Sequence, residues 1–126
     1  MMDISTLKLV EQNCVPCRGR VPAVTEAEMT ELLMQLPQWS VVQETADNGA
    51  TIKMLRRVFK FSSYTAALTF TNQIAALAEE ENHHPAILLE WGKVTVSWWT
   101  HTIDDLHQND FVGAAKTEQV YEMSGQ

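Results

Sequence analysis

Apolar residues recur at helical spacing in three stretches of this chain and fall into short strand-like runs between them. Met29, Leu32, Leu33 and Leu36 follow the helical pattern, with Thr25-Glu26-Ala27-Glu28 reading as a capping box ahead of them and Pro37 closing the run. Trp39 to Gln43 and Ala50 to Phe59 read as strands joined at Asp47-Asn48-Gly49, residue types that tolerate the positive φ of a tight turn. Alternation in the second strand is imperfect and does not select its buried face. Ser62 or Ser63 then caps a long helix reaching about Glu81, with Tyr64, Ala67, Leu68, Thr71, Ile74, Ala75 and Ala78 on one side. At about 1.5 Å per residue this helix spans about 28 Å, enough to cross a small sheet. Pro85 forces His84 out of the helical region, so the helix ends before it.

Ala86 to Glu90 and Val94 to His101 form a second strand pair around Gly92-Lys93. Val94, Val96 and Trp98 share its core-like face; Thr95, Ser97, Trp99 and His101 share the other. A last helix runs from about His107 to Tyr121, with Phe111, Ala114, Ala115, Glu118 and Tyr121 in register and Asp104, Asp105 and Asp110 near its favourable N-terminal end. The order is α-β-β-α-β-β-α. Hairpins make antiparallel strands, so the expected fold is α+β: a four-stranded antiparallel sheet with three helices packed on one face.

Composition narrows the function classes. A length of 126 residues fits one core, read as an N-terminal arm over 1–23 and a single domain over 24–126. The formal net charge of −7 argues against nucleic acid as a partner, since phosphate binding needs clustered Lys and Arg. The basic run Lys53–Lys60 reads as a solvated face or an edge guard. No apolar run approaches the roughly 20 residues of a membrane span, and the first residues lack a signal-peptide core, so no membrane association and a cytoplasmic setting are expected. In the arm, Cys14-Val15-Pro16-Cys17 has chelating or dithiol spacing. No second pair completes a zinc site and no strand precedes it as in redox motifs, so reduced thiols without a catalytic role are expected.

The chemistry concentrates between Glu79 and Asp110, a stretch holding all four histidines: His83, His84, His101 and His107. The second strand pair returns His101 toward His83 and His84. Imidazole titrates nearest neutrality, so converging histidines point to proton transfer or metal binding. Three readings stand. General acid–base catalysis would use Glu79 and Asp110 to orient the rings. A metal site is disfavoured because extended neighbours such as His83 and His84 point to opposite sides. In the third, each histidine merely packs and hydrogen-bonds. Glu79, Glu80 and Glu81 crowd a helix end whose dipole prefers cations, a local conflict of the kind functional sites carry. Phosphate-loop, dinucleotide and nucleophile-elbow motifs are absent.

Glu79-x-x-x-His83-His84-Pro85-x-x-x-x-x-Trp91, then nine residues to His101 and eight to Asp110, resembles the signature of the pterin-4a-carbinolamine dehydratases. The resemblance covers roughly residues 24–124. Asn82 stands where that family often has an acid, Trp98-Trp99 is bulkier than its usual pair, and His107 replaces a usual Ser/Thr cap. The resemblance implies dehydration of 4a-hydroxytetrahydropterin to quinonoid dihydropterin, in support of an aromatic amino-acid hydroxylase. Hairpin closure can bring His83 and His101 to one side of the pocket, which assigns them to proton transfer, and the resemblance implies His84 as the substrate-orienting member of the catalytic set. Glu79 and Asp110 would be supporting groups, and Asn82, Trp99, Thr100 and Thr102 substrate contacts. No metal or cofactor is implied, because the pterin is the substrate. A homodimer built by sheet extension, or a tetramer paired through helices, is implied too. Some relatives act instead as a protein-binding dimerisation cofactor, which is the alternative.

Overall fold

A computed structural model describes residues 8–15 and 21–124. A 3-10 turn at Leu9–Glu11 precedes α1 (Glu26–Leu33), β1 (Ser40–Thr45), β2 (Thr51–Lys60), α2 (Tyr64–Glu81), β3 (Ala86–Glu90), β4 (Lys93–Trp98) and α3 (Gln108–Met123). The strands form one antiparallel sheet in the order β1-β2-β4-β3. This is the α-β-β-α-β-β-α arrangement expected from the sequence.

The local signals explain the elements. Thr25 accepts from the Glu28 N–H while the Glu28 carboxylate accepts from the Thr25 N–H, completing the box that starts α1. Ser63, not Ser62, caps α2 by accepting from the Ala66 N–H. Gly49 and Gly92 sit at φ +86° and +75° in the two hairpin turns, a backbone region cheap only for glycine.

Pairing of Leu55 with Trp98 and of Phe59 with Val94 puts these residues on the inward face with Val96, and all five are fully buried. That settles the face of β2. Its alternation is imperfect because Arg57 also lies inward, where it pairs with Glu118 and stacks over Phe59 and Tyr121 at 4.4 and 5.2 Å. Met54, on the opposite face, is nonetheless buried.

Two expectations need correction. The inward stripe of α2 is Ala67, Phe70, Ile74 and Ala78, whereas Tyr64 and Leu68 are 46% and 40% exposed and Ala75 is also exposed. Phe70 decides the rotation, because it packs at 4.9 Å from Phe59 and 5.1 Å from Phe61, burying a large ring where alanine offers little area. β4 ends at Trp98 rather than His101. Beyond it Thr100 bridges Asp105 and the chain reverses through Asp104 at φ 51°, so His101 stands in a turn.

The arm segment joins the core. Leu9 is 1% exposed and packs within the same cluster as Trp39, Phe111 and Ala115. Cys17 lies outside the described residues.

Candidate functional site

Asn82 sets the different surroundings of the two adjacent histidines. It ends α2 in the left-handed conformation, φ 53° and ψ 41°, with its N–H donating to Ala78 and Glu79 carbonyls. The following His83 N–H also reaches back to Ala78 O at 3.2 Å. The chain therefore leaves the helix turning, so that His83 is buried and His84, held extended by Pro85, is exposed.

His83 is held by two neighbours, Asp110 and Trp98. Its Nε2 lies 2.6 Å from Asp110 Oδ1. Its ring stacks on Trp98 with centroids 5.6 Å apart and planes at 17°. Trp98 is itself fixed by donation from Nε1 to Thr117 Oγ1 at 3.2 Å.

Asp110 is wholly buried. Besides His83, its other oxygen accepts from Thr100 Oγ1 at 2.8 Å and from the His107 N–H at 2.9 Å. A buried carboxylate needs such partners to offset its lost hydration. Asp110 occupies the first turn of α3, where the helix dipole favours it. An ionised Asp110 carboxylate only accepts, so it takes a hydrogen bond from Nε2–H of His83, and in the neutral imidazole that tautomer leaves the lone pair on Nδ1.

His84 pairs through Nε2 with the Glu79 carboxylate; both side chains are largely exposed, so the pair orients the ring more than it stabilises the fold. His101 stacks on Trp99 at 4.3 Å and 11°. A depression of about 160 Å³ is lined by Asn82, His83, His84, Thr100, His101 and Thr102. Of the nine residues singled out by sequence, these six share one surface. Asp110 lies behind His83, Glu79 behind His84 and Trp99 against His101. A larger cavity of about 400 Å³ lies between the arm, the loop after α1 and α3, and holds none of the histidines. Size favours it; acid–base chemistry favours the smaller one.

The sequence missed the part Trp98 plays in the site, and placed His107 at a usual Ser/Thr cap position, which the structure bears out. Trp98 forms the floor under His83, although its core position alone was expected. His107 caps α3: its Nδ1 accepts from the Asn109 N–H at 3.0 Å, and its backbone completes a capping box with Asp110. Burial pushes its pKa below 6.5, with His83 adding to that and Asp110 opposing it. The signal was present as His-x-x-Asp, a capping-box spacing with imidazole in place of a hydroxyl.

The acidic helix end divides similarly. Glu81 is not a solvated acid: its side chain is 5% exposed, accepts from the Cys14 N–H at 2.7 Å and lies 3.3 Å from Lys116 Nζ. Burial, followed by the charges of Glu81 and Asp110, pushes the Cys14 thiol up to about 12, which keeps it protonated and unreactive. Among the described residues no group of three His, Cys, Asp or Glu is arranged to hold a metal ion, and no helix is long and apolar enough to cross a membrane.

The profile of the family described as Pterin 4 alpha carbinolamine dehydratase matches residues 22–120. A curated protein of Marinobacter nauticus, provisionally named a pterin-4-alpha-carbinolamine dehydratase, is 49% identical over 113 residues, which span 90% of this chain and 97% of that one. One from Nitrosococcus oceani, with the same provisional name, is 48% identical over 120 residues, 95% and 97% of the two chains. A Brucella melitensis crystal structure described as a transcriptional coactivator/pterin dehydratase is similar at a TM-score of 0.65 and 29% identity, covering 79% of this chain and 98% of its own. A pterin dehydratase-like protein described as a RuBisCO assembly factor in the alpha-carboxysome shares the fold at a TM-score of 0.51 and 24% identity, over 65% and 89% of the two chains.

Proposed function

Because this chain belongs to the pterin-4-alpha-carbinolamine dehydratase family, we propose that it dehydrates 4a-hydroxytetrahydropterin to quinonoid dihydropterin by histidine acid–base catalysis. The observation that carries this reading is the convergence of His83, His84 and His101 on one depression, with a buried carboxylate behind His83.

The elimination needs two proton movements. One proton goes to the 4a-hydroxyl, so that it leaves as water and takes the C–O bonding pair. A ring N–H proton is removed as its bonding pair becomes the C=N bond. No net oxidation occurs, so the balanced step requires no redox cofactor, and both protons can be carried by side chains. His83 and His101 are the proposed proton-transfer groups, and Asp110 holds the His83 ring through Nε2 so that Nδ1 carries the exchangeable site. His84, steadied by Glu79, orients the substrate. Asn82, Thr100 and Thr102 offer polar groups to the edge of a flat heterocycle, and Trp99 fixes the plane of His101. Positioned acid–base groups contribute about 10²–10⁴-fold, which suits a carbinolamine already prone to collapse.

In this reading the enzyme recycles the pterin cofactor of an aromatic amino-acid hydroxylase in the cytoplasm. It acts as a homodimer or tetramer, because β1 and β3 are edge strands whose free backbone groups a second copy can satisfy. A second reading, a protein-binding cofactor, is favoured by the Brucella relative's description as a transcriptional coactivator. The experiment that separates them is a dehydratase assay on enzymatically generated 4a-hydroxytetrahydropterin. Acceleration over the spontaneous rate supports the enzyme; a rate equal to background supports the binding role.

A further inference from the structure

His83 and Asp110 come from the end of α2 and the start of α3, and a third piece of chain is fastened to both places. The arm backbone at Cys14 donates its N–H to Glu81 Oε1 at 2.7 Å, two residues before His83. One residue on, Val15 and the Asn109 carboxamide make a reciprocal pair: the Val15 N–H donates to Asn109 Oδ1 at 2.8 Å and Asn109 Nδ2 donates to Val15 O at 2.8 Å. Asn109 directly precedes Asp110 and is 2% exposed. The Gln108 side chain reaches Gln12 Oε1 at 2.9 Å, and Lys116 of α3 approaches both Asn13 Oδ1 and Glu81, at 3.3 Å each. The arm cannot slide along this seam independently, because Leu9 is sunk in the core just upstream.

We propose that residues 12–15 are a brace that sets the His83–Asp110 pairing, and that Glu81 and Asn109 are positioning residues acting through it. The step from brace to catalysis rests on the dehydratase reading above; the brace itself rests on geometry alone. Neither side chain lines the histidine depression, so each is assigned a positioning role. What they control is register. A loosened seam lets the end of α2 shift against the start of α3, and displacements of an ångström at a reacting group cost large factors in rate.

The test uses the full-length chain with Asn109→Ala, Glu81→Ala and Glu81→Gln, each checked for folding by circular dichroism. Glu81→Gln keeps an oxygen for the Cys14 N–H and is the conservative control. Two quantities are read: the water-exchange rate of the His83 Nε2–H proton by NMR without ligand, and kcat and KM for the 4a-hydroxypterin. Asn109→Ala and Glu81→Ala should each speed that exchange severalfold and lower kcat by about tenfold, with KM within about twofold. Glu81→Gln should restore both. Folded alanine variants with unchanged exchange and kcat, even if less heat-stable, would overturn the brace by reducing it to a generic structural contact. If the wild-type chain lacks dehydratase activity while exchange still rises as expected, the brace stands and the dehydratase reading falls.

Discussion

Gly113 is where the packing behind the histidines can be tested with one methyl group. A Cβ built there would lie 2.8–2.9 Å from three ring atoms of Trp98, closer than side chains approach in real proteins. Trp98 has nowhere cheap to go: it is fully buried, stacked on His83 and bonded to Thr117. Two effects oppose each other in Gly113→Ala. Relief of glycine's helix penalty stabilises α3 by about 1 kcal/mol. Overpacking a filled core costs about 1–3 kcal/mol. The clash should win, leaving a net loss of about 1 kcal/mol and lowering Tm by about 4 °C for a domain of this size. Because the displaced ring is the floor under His83, kcat should fall as well. Thermal denaturation followed by circular dichroism, paired with the dehydratase assay, measures both. Trp98→Phe in the Gly113→Ala background replaces the indole with a smaller ring and relieves part of the clash, so the double variant should lose less than the two single losses combined. A Gly113→Ala protein at least as stable as wild type, with unchanged kcat, would refute the argument that Trp98 is clamped between α3 and His83.

Other outcomes follow from particular residues. The brace contacts from the Cys14 and Val15 N–H groups use the arm's backbone, and the Cys14 thiol's donation to the Asn109 carbonyl at 3.6 Å is one a serine hydroxyl can also make, so Cys14→Ser combined with Cys17→Ser should leave dehydratase activity within a few-fold; a zinc content and activity lost together in this variant would contradict that. His107 has its pKa lowered in the fold, so the unfolded chain binds the proton more tightly; its stabilising contribution is complete above about pH 6.5 and is lost as pH falls through the folded value. Urea unfolding should therefore weaken more between pH 7.5 and 5.5 in wild type than in His107→Ser, which keeps a cap that does not titrate, and equal slopes would count against the cap assignment. Light scattering at micromolar concentration should give a multiple of the 14.2 kDa chain mass; a monomer would remove sheet extension from the account.

The elements were legible because their ends carry local chemistry. Thr25 with Glu28, Ser63, Gly49, Gly92 and Pro85 each act within a few residues, so the chain announces them without tertiary help. The rotation of α2 was not legible, since alanines surround the helix and Phe70 is decisive only once Phe59 and Phe61 are opposite it. Arg57 defeated the strand pattern for a similar reason: its inward place depends on Glu118, far along the chain. In the site, the histidines stood out by residue type and spacing, and their convergence needed only a hairpin. The contrast between buried His83 and exposed His84 came from Asn82 adopting φ 53°, a conformation the sequence permits but does not demand. The contacts of the arm with Glu81 and Asn109, spanning separations of 67 and 94 residues, leave no periodic trace at all.

The central claim is that His83 and His101 move the protons of the dehydration. Its most direct measurement is kcat for 4a-hydroxytetrahydropterin in a His83→Ala, His101→Ala double variant shown by circular dichroism to be folded. The account predicts a loss of about 10²-fold or more, smaller than the product of the two single losses because both groups serve one elimination. A folded double variant with near-normal kcat would contradict it and leave the protein-binding reading in its place.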